Sequence, residues 1–528
     1  MGYAKELLAG LDRLLRRVPA EPASSPTAPP GAVPGLAGRA EAGRDGSEPA
    51  GSASSPTAPP GAVPGRAGRA EAGRGGSEAA ERVLAGEPVE QVLDPADPAA
   101  WIEFDAGVRD LPWRYGRPAL GAQLRERPET ALCHPDGRVR QQALTAAAAE
   151  PRLLPAVVIR CADWAEPVRN QARRILRAAL EEDRAGTLAA LTPLVLRLGE
   201  RVHGAWALDF FEQDLRTAPY EPLAALRDSS DRKTRRFAAR ITLDLGLFDA
   251  REAARQAVAA PDPAMQQLWA NAALAAMAAD GPDDLVVDTL LAARSTRLRA
   301  AGVTALRRAG RSGEAAGHLL DRAAPVRACA RWLLRQDGGD PRACYLDLLP
   351  HPEAVLGLAE CTQRGEAGLL RELLTHPEGE VRAAAVTGLH LLEAALPAEL
   401  GPLLDDPSPA VARATERALR TWADRLPAGE LTARLAPDRP AHTRRAAFRL
   451  LRVQGGMPLL RATVLLLDDP ERQLRERAVA DLRCWDWQYS LRYEGGDRRE
   501  LAELLHRSAA VFDAYELELR RSRLGLTG

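Results

Sequence analysis

Aromatic residues make up only 4% of this 528-residue chain, and of its 71 basic residues just two, Lys5 and Lys233, are lysine. Scarce aromatics beside abundant Ala, Leu and Arg weigh against a sheet protein and predict an all-α one. The near-absence of lysine reads as the imprint of a GC-rich coding sequence, so a high Arg content by itself says little about function. Cysteine is scarce as well. The six, at 133, 161, 329, 344, 361 and 484, include no C-x-x-C pair, which argues against a disulfide framework and predicts reduced core thiols. Excess charge is also lacking: 71 basic residues face 72 acidic ones, so no whole-chain field draws the protein to nucleic acid or membrane, and any basic surface must be local. No apolar run reaches the length of a membrane span, and the N-terminus has no continuous apolar segment of signal-peptide type. The expected location is cytoplasmic. Walker loops, dinucleotide-binding glycines and nucleophile motifs are missing too.

What is present begins with a short amphipathic segment. Residues 1–18 carry Leu7, Leu8, Leu11, Leu14, Leu15 and Val18 at helical spacing, with Glu6, Asp12, Arg13, Arg16 and Arg17 on the other side. From 19 to 80 the chain is rich in Pro, Gly, Ala and Ser, and "ASSPTAPPGAVPGLAGRAEAGRDGSE" recurs thirty residues later with two changes, Leu36/Arg66 and Asp45/Gly75. A segment with so few large apolar residues cannot bury enough surface to fold, so a disordered linker is expected there. Residues 81–130 hold Trp101, Phe104, Trp113 and Tyr115 among prolines, the expected N-terminal cap of a repeat array.

From residue 131 a single design multiplies. "CHPDGRVRQQALTAA", "ADWAEPVRNQARRIL", "DRAAPVRACARWLL", "THPEGEVRAAAVTGL", "DDPSPAVARATERAL" and "DDPERQLRERAVADL" share it. With the Arg of "VR", or its replacement, as anchor, the units fall at Arg140, Arg169, His203, Arg235, Gln266, Arg299, Arg327, Leu356, Arg382, Ala412, Arg444 and Arg475, at intervals of 26 to 34 residues. Apolar residues at −1, +3, +6, +7 and +10 from each anchor form one helical stripe. Prolines at 167, 325 and 409 and aspartates at 136, 405, 406, 468 and 469 sit where a helix starts. A Leu-rich segment precedes each turn, so the predicted unit is helix, turn, helix.

Through "D/H-P-x-x-x-V-R-x-x-A-x-x-A/L-L" the chain resembles the HEAT-repeat family, in particular its shorter phycobilisome-lyase-type HEAT-like repeats, over residues 131–490. The resemblance implies a right-handed α-solenoid of about twelve helical hairpins, used mainly as a binding scaffold. The aromatic cluster Trp485, Trp487, Tyr489 and Tyr493 and a helix over 491–528 are expected to cap its far end.

Candidate chemistry is thin. His134, His351 and His376 lie in "HPD" and "HPE", and none of the eight histidines precedes an acid, so the paired His-Glu ligands of HEAT-like di-iron hydroxylases are missing and the residues read as turn caps. A bilin-lyase-like role has nothing beyond the repeat in its favour. A DNA-glycosylase-like role could use Trp332, which lacks a visible Asp beside it. No catalytic residue, metal site or cofactor is expected.

One pattern exceeds the family resemblance. On the second helix of each unit the face opposite the apolar stripe is +1, +5 and +8, and the resemblance implies that this helix lines the concave surface. These 36 positions hold fourteen Arg, at 174, 177, 236, 240, 307, 335, 364, 413, 417, 420, 445, 449, 452 and 483, against one acid, Glu476. Seven of the fourteen are at +8, where the helix dipole favours cations, but the dipole does not account for those at +1 and +5. The expectation is a non-catalytic scaffold that binds an acidic protein segment first, nucleic acid second, through Arg413, Arg417, Arg420, Arg445, Arg449, Arg452, Arg483 and Arg335, with Trp332 and His390 on the same face. The oligomeric state is left open.

Overall fold

The computed structural model describes residues 66–526 except 95–96, 116–119, 218–219 and 494–496. The amphipathic stretch at 6–18 and most of the expected linker lie outside the described residues. Among the described residues the secondary structure is α-helix and short 3-10 helix, without strands. They form two compact units that divide between Phe248 and Asp249.

The first unit starts earlier than composition predicts. Residues up to 80 read as linker, yet Arg66–Leu84 is one helix. It packs against Pro98–Tyr115, burying Ser77, Ala80 and Val83. Glycine explains both the prediction and its failure. A Cβ on Gly76 would lie 2.0 Å from the Glu103 carbonyl oxygen, and one on Gly107 would lie 2.2 Å from the Gly76 carbonyl carbon. The residues that look like linker punctuation let two helix backbones touch. Trp101 and Phe104, on the second of these helices, are buried in an edge-to-face pair 6.3 Å apart.

The repeat is real in both units. Ten of the twelve anchors fall on the fourth residue of a helix, as Arg140 does in Gly137–Ala147 and Arg382 in Gly379–Leu391. Leu356 is fifth in Pro352–Ala359. His203 is the true misregistration: it sits in the preceding turn with φ 69°, and the helix begins only at Ala205. Phe211, eight residues past it, is therefore fully buried, not on the outward face.

The anchor Arg is a joint between units. Arg140 Nη1 donates to the carbonyls of His134 and Pro135, both at 2.8 Å, while Nε and Nη2 fork onto Asp163 of the next turn, also at 2.8 Å. Asp163 meanwhile accepts the Ala165 N–H and so starts the next helix. Arg299 with Asp321, Arg382 with Asp406 and Arg444 with Asp469 repeat the arrangement. Where Gln266 replaces Arg, its side-chain amide still donates to Ala260 O, six residues back. The turn histidines cap locally: His134 Nδ1 accepts from Asp136 N at 2.9 Å, and His376 Nδ1 from Glu378 N at 3.2 Å.

Several first helices are short. Gly368–Glu372, Pro397–Leu400 and Gly456–Leu465 each hand over to a 3-10 turn before the joint. That abbreviation accounts for a period near 30. At the end of the second unit two helices, Arg498–Arg507 and Ala514–Leu524, join Trp487, Leu482 and Met457 in one apolar cluster with Leu501, Leu504 and Phe512.

All six cysteines are free thiols. Cys133, Cys161 and Cys329 are buried, Cys344 and Cys361 half-buried. Cys484 departs from the expected core position: it caps the exposed end of Arg472–Arg483. Burial pushes the Cys161 thiol up to about 12 and Cys329 to about 11, which keeps both protonated.

Candidate protein-binding face

The densest part of the Arg pattern lies on two neighbouring helices of the second unit. Pro409–Leu419 opens with a proline at its first turn and buries Val411, Ala414, Thr415, Ala418 and Leu419. That orientation leaves Arg413 and Arg417 exposed one turn apart, with Arg420 at the helix end. Ala441–Gln454 packs beside it through Ala446, Ala447, Leu450 and Leu451, so Arg445, Arg449 and Arg452 continue the same face. Gly379–Leu391 borders the first helix on its other side.

Most of these guanidiniums are already engaged. Glu416 is only 1% exposed, at the +4 position where neighbouring units place Val386 and Phe448. Its carboxylate accepts from Arg420 Nε at 3.2 Å and Nη2 at 2.5 Å, with Arg449 Nη1 3.8 Å away. Arg445 pairs with Glu471 in the next turn. Arg452 Nε donates to Asp481 at 2.8 Å, and the same carboxylate takes Arg477 at 3.0 Å. Burial pushes the Asp481 carboxyl up despite Arg477. Arg413 and Arg417 differ: both are exposed, and neither has a hydrogen-bond or ion-pair partner among the described residues. Counting +1, +5 and +8 alone could not see this, because the compensating acids sit at +4, at +6 and in the following turn.

The other nominated residues fall into separate groups. His390 is exposed on Gly379–Leu391, beside half-buried Ala383 and Thr387, whose hydroxyl donates to Ala383 O at 2.8 Å. It thus borders the Arg413 helix. Arg483 is exposed at the end of Arg472–Arg483, the helix reached by Arg452. Trp332 and Arg335 are on Ala324–Gln336, with Pro352–Ala359 and Gly379–Leu391 between them and the cluster. Trp332 is half-buried under Arg307, 5.7 Å from its ring, and Arg335 Nη2 lies 3.9 Å from Cys361 Sγ.

A second polar–aromatic assembly, in the first unit, was missed. Trp206 and Phe210 stack 5.1 Å apart at 17°, and Arg173 and Arg177 lie over Trp206 at 4.6 and 5.0 Å. Both pairs are i,i+4, which was the available signal. The misplaced anchor at His203 hid it by assigning Leu208 and Phe211 to the outward face.

Among the described residues no group of three or more His, Cys, Asp or Glu side chains is placed to hold a metal ion. No described helix is long and apolar enough to cross a membrane. What fold and face together define is an all-α helical-repeat protein with an Arg-bearing outward surface. No family model matches the chain, and no curated protein matches it. Among solved structures it is similar to a chain of the structure in which Kap95p binding induces the switch loops of RanGDP to adopt the GTP-bound conformation. There it shows 13% identity over 85% of this chain and 73% of that one, with a TM-score of 0.29. It is also similar to UNC-45 from Drosophila melanogaster, at 12% identity, 87% and 70% coverage and a TM-score of 0.22. At such scores the architecture rests on the repeated joints themselves.

Proposed function

We propose that this chain is a non-catalytic scaffold, and that the second unit takes an acidic protein segment along Pro409–Leu419. The observation that carries this reading is the pair Arg413 and Arg417, exposed, one turn apart and without partners among the described residues. Arg forks bind carboxylate and phosphate alike, so ligand class is decided by the surroundings. Glu416, Glu471 and Asp481 interrupt the cationic surface. A continuous phosphate backbone tracking across these helices meets those acids, whereas a short acidic segment needs only the uncompensated pair. His390 and the low shoulder at Ala383 and Thr387 offer the neighbouring contact.

The test is fluorescence anisotropy with a labelled Glu/Asp-rich peptide and with a labelled single-stranded oligonucleotide of equal charge, from about 50 to 200 mM salt. Acidic-segment binding predicts that the peptide binds and that R413E/R417E loses at least tenfold in affinity. Retained affinity in that variant sinks the face as the site. Tighter oligonucleotide binding, falling by several decades over that salt range, moves the assignment to nucleic acid.

A further inference from the structure

The first unit contains a groove that its own helices leave open. Gly137–Ala147 has 11 residues and the neighbouring Glu166–Glu182 has 17. At about 1.5 Å per residue the longer helix overhangs the shorter by roughly 9 Å. Under the overhang the chain turns away through Glu150 and Pro151, and a cavity of about 440 Å³ remains, a volume typical of ligand-binding clefts. Its floor is Leu144, Leu154, Ile175, Ala178 and Ala179, and Thr145 and Gln171 close one end with a hydrogen bond of 3.2 Å. The rim is charged. Glu182 borders the cavity with exposed Glu181 beside it, and Arg174 stands on the other side without a partner among the described residues.

We propose that residues 6–18 of this same chain occupy the groove as a helix. Leu7, Leu11, Leu14 and Val18 form one stripe at helical spacing, Arg13 and Arg17 border it on one side and Asp12 on the other. This order of charges matches the rim: the two Arg meet Glu181 and Glu182, and Asp12 meets Arg174. An isolated helix of this length is marginal in water, so its apolar stripe needs a surface. The connection also fits. Residues 19–65 join the segment to Arg66–Leu84, which belongs to the same unit. A flexible coil of that length spans about 38 Å, and such tethering supplies an effective concentration on the order of millimolar, enough for a weak intrinsic contact.

The experiment is disulfide trapping in the full chain. L11C is combined with A178C in the groove, or with R138C, an exposed position at the opposite end of Gly137–Ala147. L11C alone gives the background from the six native cysteines. The expected result is intramolecular crosslinking to Cys at 178 at least tenfold faster than at 138, and loss of that preference when L7D and L14D are added. These added changes lie outside the repeats and leave their packing intact. Equal rates at 178 and 138 overturn the proposal. Crosslinked dimers without an intramolecular product overturn it as well, and reassign the groove to a second copy of the chain.

Discussion

Arg382 and Asp406, 24 residues apart in sequence, are joined by a two-pronged ion pair at 2.9 and 2.7 Å, while the same guanidinium holds the carbonyls of His376 and Pro377 behind it. Asp406 in turn accepts the Ser408 N–H at 2.7 Å. One side chain therefore ties its own turn, the next turn and the start of the next helix.

Arg382→Ala strands a carboxylate whose side chain is only 6% exposed. Breaking a largely buried pair from one side costs about 3 to 5 kcal/mol. Arg382→Lys keeps the charge but loses the fork, and is expected to recover only part of that. Urea denaturation of the two variants beside the unaltered chain checks the order; a cost below about 1 kcal/mol for R382A means that the joint is ornamental.

The joints also set the acid limit of the fold. For Asp163, Asp321 and Asp406 burial acts to raise the carboxyl, and the Arg fork together with the capping N–H outweighs it, holding each below its ordinary value. A carboxylate depressed in the folded state contributes stability that is full above its unfolded pKa of about 4 and is lost as pH falls through the folded value. Melting temperature is expected to be flat from about pH 5 to 7 with respect to these groups and to drop below about pH 4. In the D163N/D321N/D406N chain, less stable at neutral pH, that acid drop shrinks. An unchanged drop assigns the acid transition elsewhere.

How far the sequence reveals these features depends on whether the cause is local. Anchors such as Arg140, Arg382 and Arg444 were legible because a helix start, a turn and a clamp recur at fixed spacing in one chain. Partner choice was not. That Arg420 and Arg449 close on Glu416 follows from two helices lying side by side, and no position count on a single helix contains it. Near His203 a longer turn displaced the register, and with it the Trp206–Phe210 stack. In residues 66–80 composition misled, because small residues serve a flexible segment and a tight helix crossing equally well.

The pairing pattern on the Arg face predicts two classes of mutant. R413E/R417E removes exposed, uncompensated charge and is expected to leave stability within about 0.5 kcal/mol. R420A/R449A leaves Glu416, 1% exposed, without its cations, a loss of about 1 to 3 kcal/mol. Thermal denaturation separates them. If both pairs behave alike, Glu416 is not the internal counter-ion, and binding assays on the four residues lose their contrast.

Adjacent glycines offer the sharpest check on where folding begins. In a helix Ala is better than Gly by up to about 1 kcal/mol. At Gly75 a Cβ meets only the tip of Glu103 at 3.7 Å, so G75A is expected to be neutral or stabilising. At Gly76 a Cβ would come within 2.0 Å of the Glu103 carbonyl oxygen and 2.6 Å of its carbon, both backbone atoms that cannot swing aside. G76A is therefore expected to destabilise the first unit by about 1 to 3 kcal/mol through forced separation of the two helices. Opposite signs at neighbouring positions require Arg66–Leu84 to be packed against Pro98–Tyr115, since a solvated helix would gain from both substitutions and a linker would register neither.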